Sequence, residues 1–396
     1  MSQYILISHL KVQNANAIAG FTWGFPAITH FLGFTHNLER KLKNIPELAN
    51  ISLSGCAVIA HEHHVHRYGT WDTEFTQNRN PPYLGSHIKT DTPPVIEEGK
   101  MNMTVSLLIG CFGTVGNRKD DLIAWLNKAC LTQRLAGGTL LNNALTIELF
   151  SDSSDNVRTI KRKLLPGFVL MDRASYLQEH YKNLCKNNPQ TELLDAWLDF
   201  AALKKVARPK SDLISKHLLT LSNNLPDNLQ LTVLHNAWQQ HLTLPYTHDA
   251  IPTVLIQYFA EIKQDKTSAS LLQQWSEYLG PNEKTNADWE HLPKPNSGYL
   301  VPIMTGYKAI SPVYPAGDVK STRDTETPTC FVESVHSVGE WKSIHRIKDI
   351  EALNACLWHY HYEDNWYLCQ QLPNAIPSSQ VADSYEMIED AETNFY

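Results

Sequence analysis

The sequence predicts an α+β fold, and three observations carry that expectation. The first 171 residues run strand, helix, strand, long excursion, strand, helix, strand, a βαββαβ order suited to a ferredoxin-like or RRM-like layer of sheet and helices. From 172 to about 290 the apolar spacing turns helical and Leu-rich, which marks an inserted helical domain. From 291 to 361 strand-and-turn character returns and completes the α/β body, and 362–396 reads as an acidic tail.

The elements follow in chain order. "YILISHLKV" alternates apolar and polar residues and reads as a strand. "QNANAIAG" is a polar loop, and "FPAITHFLGFTHNLERKLKN" places Ile28, Phe31, Leu32, Leu38 and Leu42 at helical spacing. "ISLSGCAVIAHEHHVHRY" is a second, long strand. Residues at about 69–100, with "NRNPPYLG" and "TDTPPVIEEG", are rich in Thr, Asn, Pro and Gly and read as an extended excursion or loose hairpin. "MNMTVSLLIGCFG" is a strand, and "KDDLIAWLNKACLTQRLAGG" is a helix stopped by a glycine pair. "TLLNNALTIELF" and "LLPGFVLMDR" are strand-like. Six Leu-rich segments follow, several opened by Ser, Thr or Asp caps. After the polar linker "PNEKTNADWEHLPKPNSG" come the strand-like "YLVPIMTGYKAISPVY" and the helix-like "IKDIEALNACLWHYHYE".

Charge is unevenly spread. The net charge of −7 equals the seven acids that follow His361, a stretch without Lys or Arg, so residues 1–360 sum to zero. The first 170 residues hold 16 Lys and Arg against 13 Asp and Glu, and local basic patches on such a surface are able to hold a phosphate backbone. Seven cysteines without a CxxC pair argue against a disulfide framework and for a reduced, cytoplasmic protein. The first residues lack a basic leader and cleavage site, and no window nears 18 uninterrupted apolar residues, so no membrane association is expected.

The run "HEHHVHR" puts His61, His63, His64 and His66 within six residues. Strand periodicity places His61 and His63 on one face with Val65, and His64 and His66 on the other with Glu62. Two faces do not converge on one ion, and Val65 stands where HExxH requires its second histidine, so no metal is expected. The alternatives are an interface-facing strand end, or rings that stack on bases and pair with phosphate. "GCFGTVGNRK" matches neither a phosphate loop nor GxGxxG and reads as a turn. There is no GxSxG, and the adjacent acids Glu97-Glu98, Asp120-Asp121 and Glu363-Asp364 diverge on any regular element.

RNA chemistry is better served. "RTIKRKLLPG" clusters Arg158, Lys161, Arg162 and Lys163. "RLAGG" sets Arg134 before Gly137 and Gly138, whose backbone admits close approach and offers N–H groups to anions. Asn14 and Asn16 carry amides suited to base edges, and Arg79 and Arg323 lie among small polar residues.

"LKVQNANAIAGFTWGFPAITHFLGFTHNL", "VIEEGKMNMTVSLLIG", "RLAGGT", "KRKLLPGFVLMDR", "YLVPIMTGYKAISPVY", "TRDTETPTCFVES" and "GEWKSIHR" together resemble the type I-F CRISPR surveillance (Csy) complex subunit of the Cas5 type, in that family's order from about residue 10 to 361. The resemblance implies a non-catalytic subunit with an RRM-like domain, a thumb and a helical domain. It implies partners: the 5′ handle of the CRISPR RNA, the large subunit that recognises the protospacer-adjacent motif, the first of the repeated backbone subunits, and target DNA duplex nearby. No cofactor is implied. The expected RNA contacts are Asn14, Asn16, Arg79, Arg134, Gly137, Gly138, Arg158, Arg162 and Arg323, with His61, His63, His64 and His66 at the thumb base. Two other readings are a metal-dependent CRISPR RNA-processing endoribonuclease and a structural adaptor without direct RNA contact.

Overall fold

A computed structural model describes residues 3–371, apart from 70–73, 76, 80–94, 209–215, 217–218, 220–228, 244–251, 263–268, 280–281, 283 and 323. In chain order the elements are β1 (Gln3–Asn16), β2 (Ile18–Ala19), β3 (Thr22–Trp23), α1 (Ile28–Lys43), β4 (Ser52–Val65), β5 (Arg67–Tyr68), β6 (Glu74–Phe75), β7 (Gln77–Arg79), β8 (Val95–Glu97), β9 (Lys100–Phe112), α2 (Lys119–Leu131), β10 (Thr139–Leu140) and β11 (Thr146–Ser151). Then come α3 (Ser154–Leu164), β12 (Phe168–Asp172), α4 (Ala174–Asn187), α5 (Leu193–Ala201), β13 (Lys205–Arg208), helices Leu229–Thr243, Thr253–Ile262 and Ala269–Leu279, β14 (Asp288–His291), β15 (Leu300–Ala309), β16 (Val332–Ser343), a short helix Ile350–Asn354, β17 (Trp358–Glu363) and β18 (Trp366–Gln371).

A ten-stranded sheet follows the path β10-β1-β9-β4-β12-β16-β15-β18-β17, and β11 also pairs with β1. β17 returns to meet β4 at Trp358 and Cys56, so the path from β4 through β12, β16, β15, β18 and β17 closes on itself. The first four long strands lie in the order β11-β1-β9-β4, each pair antiparallel.

Alternation along these strands builds two cores. Ile5, Ile7, Leu10 and Val12 of β1, with Met101, Met103, Val105 and Leu107 of β9, face α1 and α2, which contribute Phe31, Leu38, Leu122 and Leu126. Tyr4 and Leu6 of β1, Ala57 and Ile59 of β4 and Leu108 of β9 face the other way, onto Ile160 and Leu164 of α3 and Leu353. Asp120 and Asp121 sit in the first turn of α2, where acids favour the helix N-terminus.

The chain divides into two compact units, 1–200 with 296–396, and 201–295. The second holds the β13-β14 ladder and a helical cluster around Leu234, Trp238, Leu255, Phe259 and Leu271. α4 and nearly all of α5, grouped by periodicity with the helical domain expected over 172–290, belong to the larger unit, where Trp197 of α5 donates to the Ser337 carbonyl at 3.1 Å.

Three expectations are corrected. "WHYHYE" continues no helix: it is β17, because its period is 2 and a two-residue Asp364-Asn365 turn, both residues at positive φ, pairs it with β18. The sheet therefore takes in 362–371 of the expected tail, and 372–396 lies outside the described residues. Third, "TLLNNALTIELF" is two strands, β10 and β11, both on the same edge of β1. The excursion appears as two short ladders, β5-β6 and β7-β8, and 80–94 lies outside the described residues. Among the described residues, no helix is long and apolar enough to cross a membrane.

Candidate RNA interface

The face of the sheet that packs on α3 changes character toward the excursion. After Leu6, Ile59 and Leu108 its next residues are His9, His61 and Ser106. Register shifts in β1 between Ile7 and Leu10 and in β4 between Ala60 and Glu62 place the two histidines there, His9 at φ 53°. Their rings stack at 4.2 Å. His61 Nδ1 lies 2.7 Å from the Pro166 carbonyl, which only accepts, so this nitrogen donates. Nε2 lies 2.7 Å from the Ser106 hydroxyl, and Ser106 Oγ accepts the His9 N–H at 2.9 Å. Burial, then the neighbouring His9, lowers the His61 pKa against the opposing Pro166 bond, in keeping with a neutral ring. Ser106 is fully buried, so this Ser–His pair ties β1, β4 and β9 together and presents no accessible nucleophile.

Beyond this clamp the face is open and polar. Lys11, Thr104 and Glu62 lie abreast on β1, β9 and β4, and Asn102 pairs with His64. Lys11, Glu62, His64 and Asn102 are exposed. The β4 shift corrects the expected facing of the histidines: Glu62 and His64 share the face of His61, whereas His63, opposite Met103, lies on the reverse face with Val65. His66 donates its N–H to the Lys100 carbonyl at 2.9 Å, and its ring lies 6.1 Å from His64. All four histidines thus stand where β4 gives way to the excursion. Among the described residues, no three His, Cys, Asp or Glu side chains converge as a metal ion would require.

The end of β1 gathers several expected contacts. A second register shift, between Val12 and Ala15, exposes Asn14 at φ 55°, with its N–H donating to the Asn102 side-chain Oδ1 at 3.1 Å. The Asn16 amide folds back onto Ile18, accepting its N–H and donating to its carbonyl, each at 3.0 Å. That leaves Asn14 rather than Asn16 with an amide turned outward. Leu135–Gly138 forms a tight turn with Ala136 and Gly137 at φ 49° and 75°. The Ala136 carbonyl accepts the Asn16 N–H at 2.8 Å. A Cβ on Gly138 would stand 2.6 Å from Val12 Cγ1 and 2.7 Å from the Gln13 carbonyl, so only glycine lets the turn seat on β1. Gly137 has open space around it, and Arg134 is exposed beside the turn.

Helix α3 sorts its basic run by helical geometry. Val157, Ile160 and Leu164 are buried. Lys161 donates to the His345 carbonyl at 3.1 Å and also to that of Ile347, and Lys163 pairs with Glu148 at 2.9 Å. Arg158 and Arg162, four apart, form an exposed ridge leading toward Pro166 and His61. Arg79 lies in β7, and Arg323 lies outside the described residues. The sequence reading missed His9, Lys11, Asn102 and Thr104. Alternation in "SHLKVQN" carried the signal for His9 and Lys11; the register that brings Asn102 and Thr104 beside them is long-range.

The chain is 29% identical over 377 residues, 91% of each chain, to the CRISPR-associated protein Csy2 of Pseudomonas aeruginosa (strain UCBPP-PA14). Residues 5–241 and 250–369 match the CRISPR-associated protein family Cas_Csy2. The chain belongs to the Cas_Csy2 family of CRISPR-associated proteins.

Proposed function

We propose that this chain is the Cas5-type subunit of a type I-F CRISPR surveillance complex, which holds the 5′ handle of the CRISPR RNA on the open end of the β1-β9-β4 layer and cuts nothing. In this reading it pairs with the large subunit that recognises the protospacer-adjacent motif and meets the first backbone subunit. The β11-β1-β9-β4 order, with α1 and α2 on one face, supports an RRM-like reading of the domain. One observation carries the proposal: at His9, His61 and Ser106 an otherwise apolar sheet face becomes polar, beside the excursion, with Lys11, Asn14 and His64 exposed beyond it.

Single-stranded RNA is held by phosphate contacts to Lys, Arg and backbone N–H groups and read through base edges and stacking. Lys11 and Arg134 supply positive charge, Gly137 an approachable backbone, Asn14 an outward amide and His64 a ring. Arg158 and Arg162 extend the track along α3. The fixed handle is recognised by the protein, while the target is read by guide pairing.

The test is equilibrium binding of CRISPR RNA from the same locus to the full chain at several salt concentrations. The reading expects affinity that falls with salt at about 0.7 per neutralised phosphate on a log–log plot, and intact RNA after long incubation with precursor. Cleavage of precursor lost on changing His61, His63, His64 or His66 would establish the endoribonuclease instead. Absence of handle binding would leave the adaptor.

A further inference from the structure

The β2-β3 hairpin rises from the end of β1 as a two-residue turn, Gly20-Phe21, with Ala19 opposite Thr22. Phe21 is 81% exposed, yet its ring is fixed. It stacks on His336 of β16 at 4.8 Å and 18°, and its N–H donates to His336 Nε2 at 3.1 Å. Trp197, itself buried, also meets that imidazole, edge-on at 5.5 Å. Gly20 lies at φ 63°, and a Cβ there would stand 2.1 Å from His336 Nε2, so only glycine allows the turn to close over the imidazole. His336 thus contacts two rings, the buried Trp197 and the solvent-exposed Phe21 that stacks on it.

The hairpin is tied to the strand end that carries Asn14. Both amide bonds of Asn16 hold Ile18, the Ala17 N–H donates to the Gly99 carbonyl at 2.9 Å, and the Gly24 N–H to the Ala17 carbonyl at 2.8 Å. The hairpin's other large apolar side chains, Ile18 and Trp23, are packed against Gly99, each within 2.7 Å of where its Cβ would be. Among the hairpin's large apolar side chains, Phe21 is therefore the exposed one. A protein hot spot needs surrounding contacts that exclude water, whereas one flat, immobilised ring suits a planar π-face. Four residues separate Asn16 from Phe21, so their Cα atoms are within about 18 Å.

We propose that Phe21, seated on His336, is a stacking platform for one unpaired nucleobase of the RNA held at the open end of β1. This rests on the RNA-binding reading above. Stacking without hydrogen bonding is tolerant of base identity, so the platform would fix the register of the strand rather than read its sequence.

The test uses the full chain and single-stranded RNA copying the repeat-derived 5′ end of the locus's CRISPR RNA, with 2-aminopurine placed at each position in turn. Wild type is expected to quench one position strongly. Phe21→Ala should restore that fluorescence and weaken binding about 5- to 150-fold, with the salt slope unchanged, and Phe21→Trp should keep both quench and affinity. Melting of each variant checks the fold. Wild-type binding together with Phe21→Ala binding within twofold and an unchanged quench pattern overturns the platform alone. No binding by wild type overturns the RNA reading and the platform with it. Unchanged RNA binding with lost assembly onto the other subunits makes Phe21 a protein anchor, which also overturns the proposal.

Discussion

The β1-β9-β4 layer has two faces built by the same strands, and they differ in how far they are covered. On one, α1 and α2 seal an apolar surface that runs from Ile5 to Ala15 along β1 and from Cys111 to Met101 along β9. On the other, α3 covers Tyr4, Leu6 and Leu108, and the surface beyond Ser106 is polar. Where a helix seals the sheet, side chains stabilise; where the sheet is polar and open, the same strand geometry leaves side chains free to bind. The His9–His61–Ser106 clamp marks the border.

The contrast predicts opposite responses to substitution. Phe31 of α1 is fully buried on the sealed face, and Phe31→Ala should destabilise the larger unit by about 3–5 kcal/mol in denaturant unfolding, with RNA affinity of the folded fraction unchanged. A weakened fold together with selective loss of RNA binding would break the comparison.

The half-buried His359 contrasts with the exposed His64 of the open face. Burial lowers its pKa to about 4, and its Nδ1 has no hydrogen-bond partner among the described residues. The unfolded chain, at about 6.5, binds more protons between these values, so stability is full above about pH 6.5 and is lost as pH falls toward 4. The loss from this group should be on the order of 3 kcal/mol, read from urea unfolding across that window, and His359→Phe should flatten it. His61 and His336, also lowered by burial, contribute with the same sign.

At the border of the open face, Gly138→Ala should cost about 1–3 kcal/mol by driving the turn off Val12 and Ala15, and should weaken RNA binding by displacing Asn14. Gly137→Asn, in open space with a residue that tolerates positive φ, should do far less. Equal effects on melting and RNA titration would show that the turn does not present Asn14. The smallest stability effect belongs to Arg134→Ala. It is exposed, so unfolding should shift by less than about 0.5 kcal/mol, while the log–log salt slope of RNA binding falls by about 1.

Much of this architecture was legible in local pattern. Alternation marked β1, long apolar runs marked β4 and β9, and Ile28, Phe31, Leu32, Leu38 and Leu42 marked the buried side of α1. The division of "RTIKRK" also follows from helical period: Arg158 and Arg162 share a ridge, while Lys161 and Lys163 find partners in other elements. Bulges were not legible. A single inserted residue at Ala60–Glu62 reverses the facing expected for His61 against His63, and nothing in "HEHHVHR" announces it. Long-range closure was equally hidden: β17 reads as the end of a helix until Trp358 is placed beside Cys56. The Asn14 and Asn16 pair could not be separated by residue type, because only the fold turns one amide inward onto Ile18.

The central claim is that the polar end of the β1-β9-β4 layer holds the CRISPR RNA handle. The most direct measurement is photo-crosslinking of the full chain to CRISPR RNA carrying 4-thiouridine in its repeat-derived 5′ end, with the crosslinked peptides identified by mass spectrometry. The account predicts crosslinks in the peptides that hold Lys11 to Asn16, His61 to His66 and Arg134 to Gly138. Crosslinks confined to other surfaces, or none from handle to this chain while it sits in an assembled complex, would contradict it.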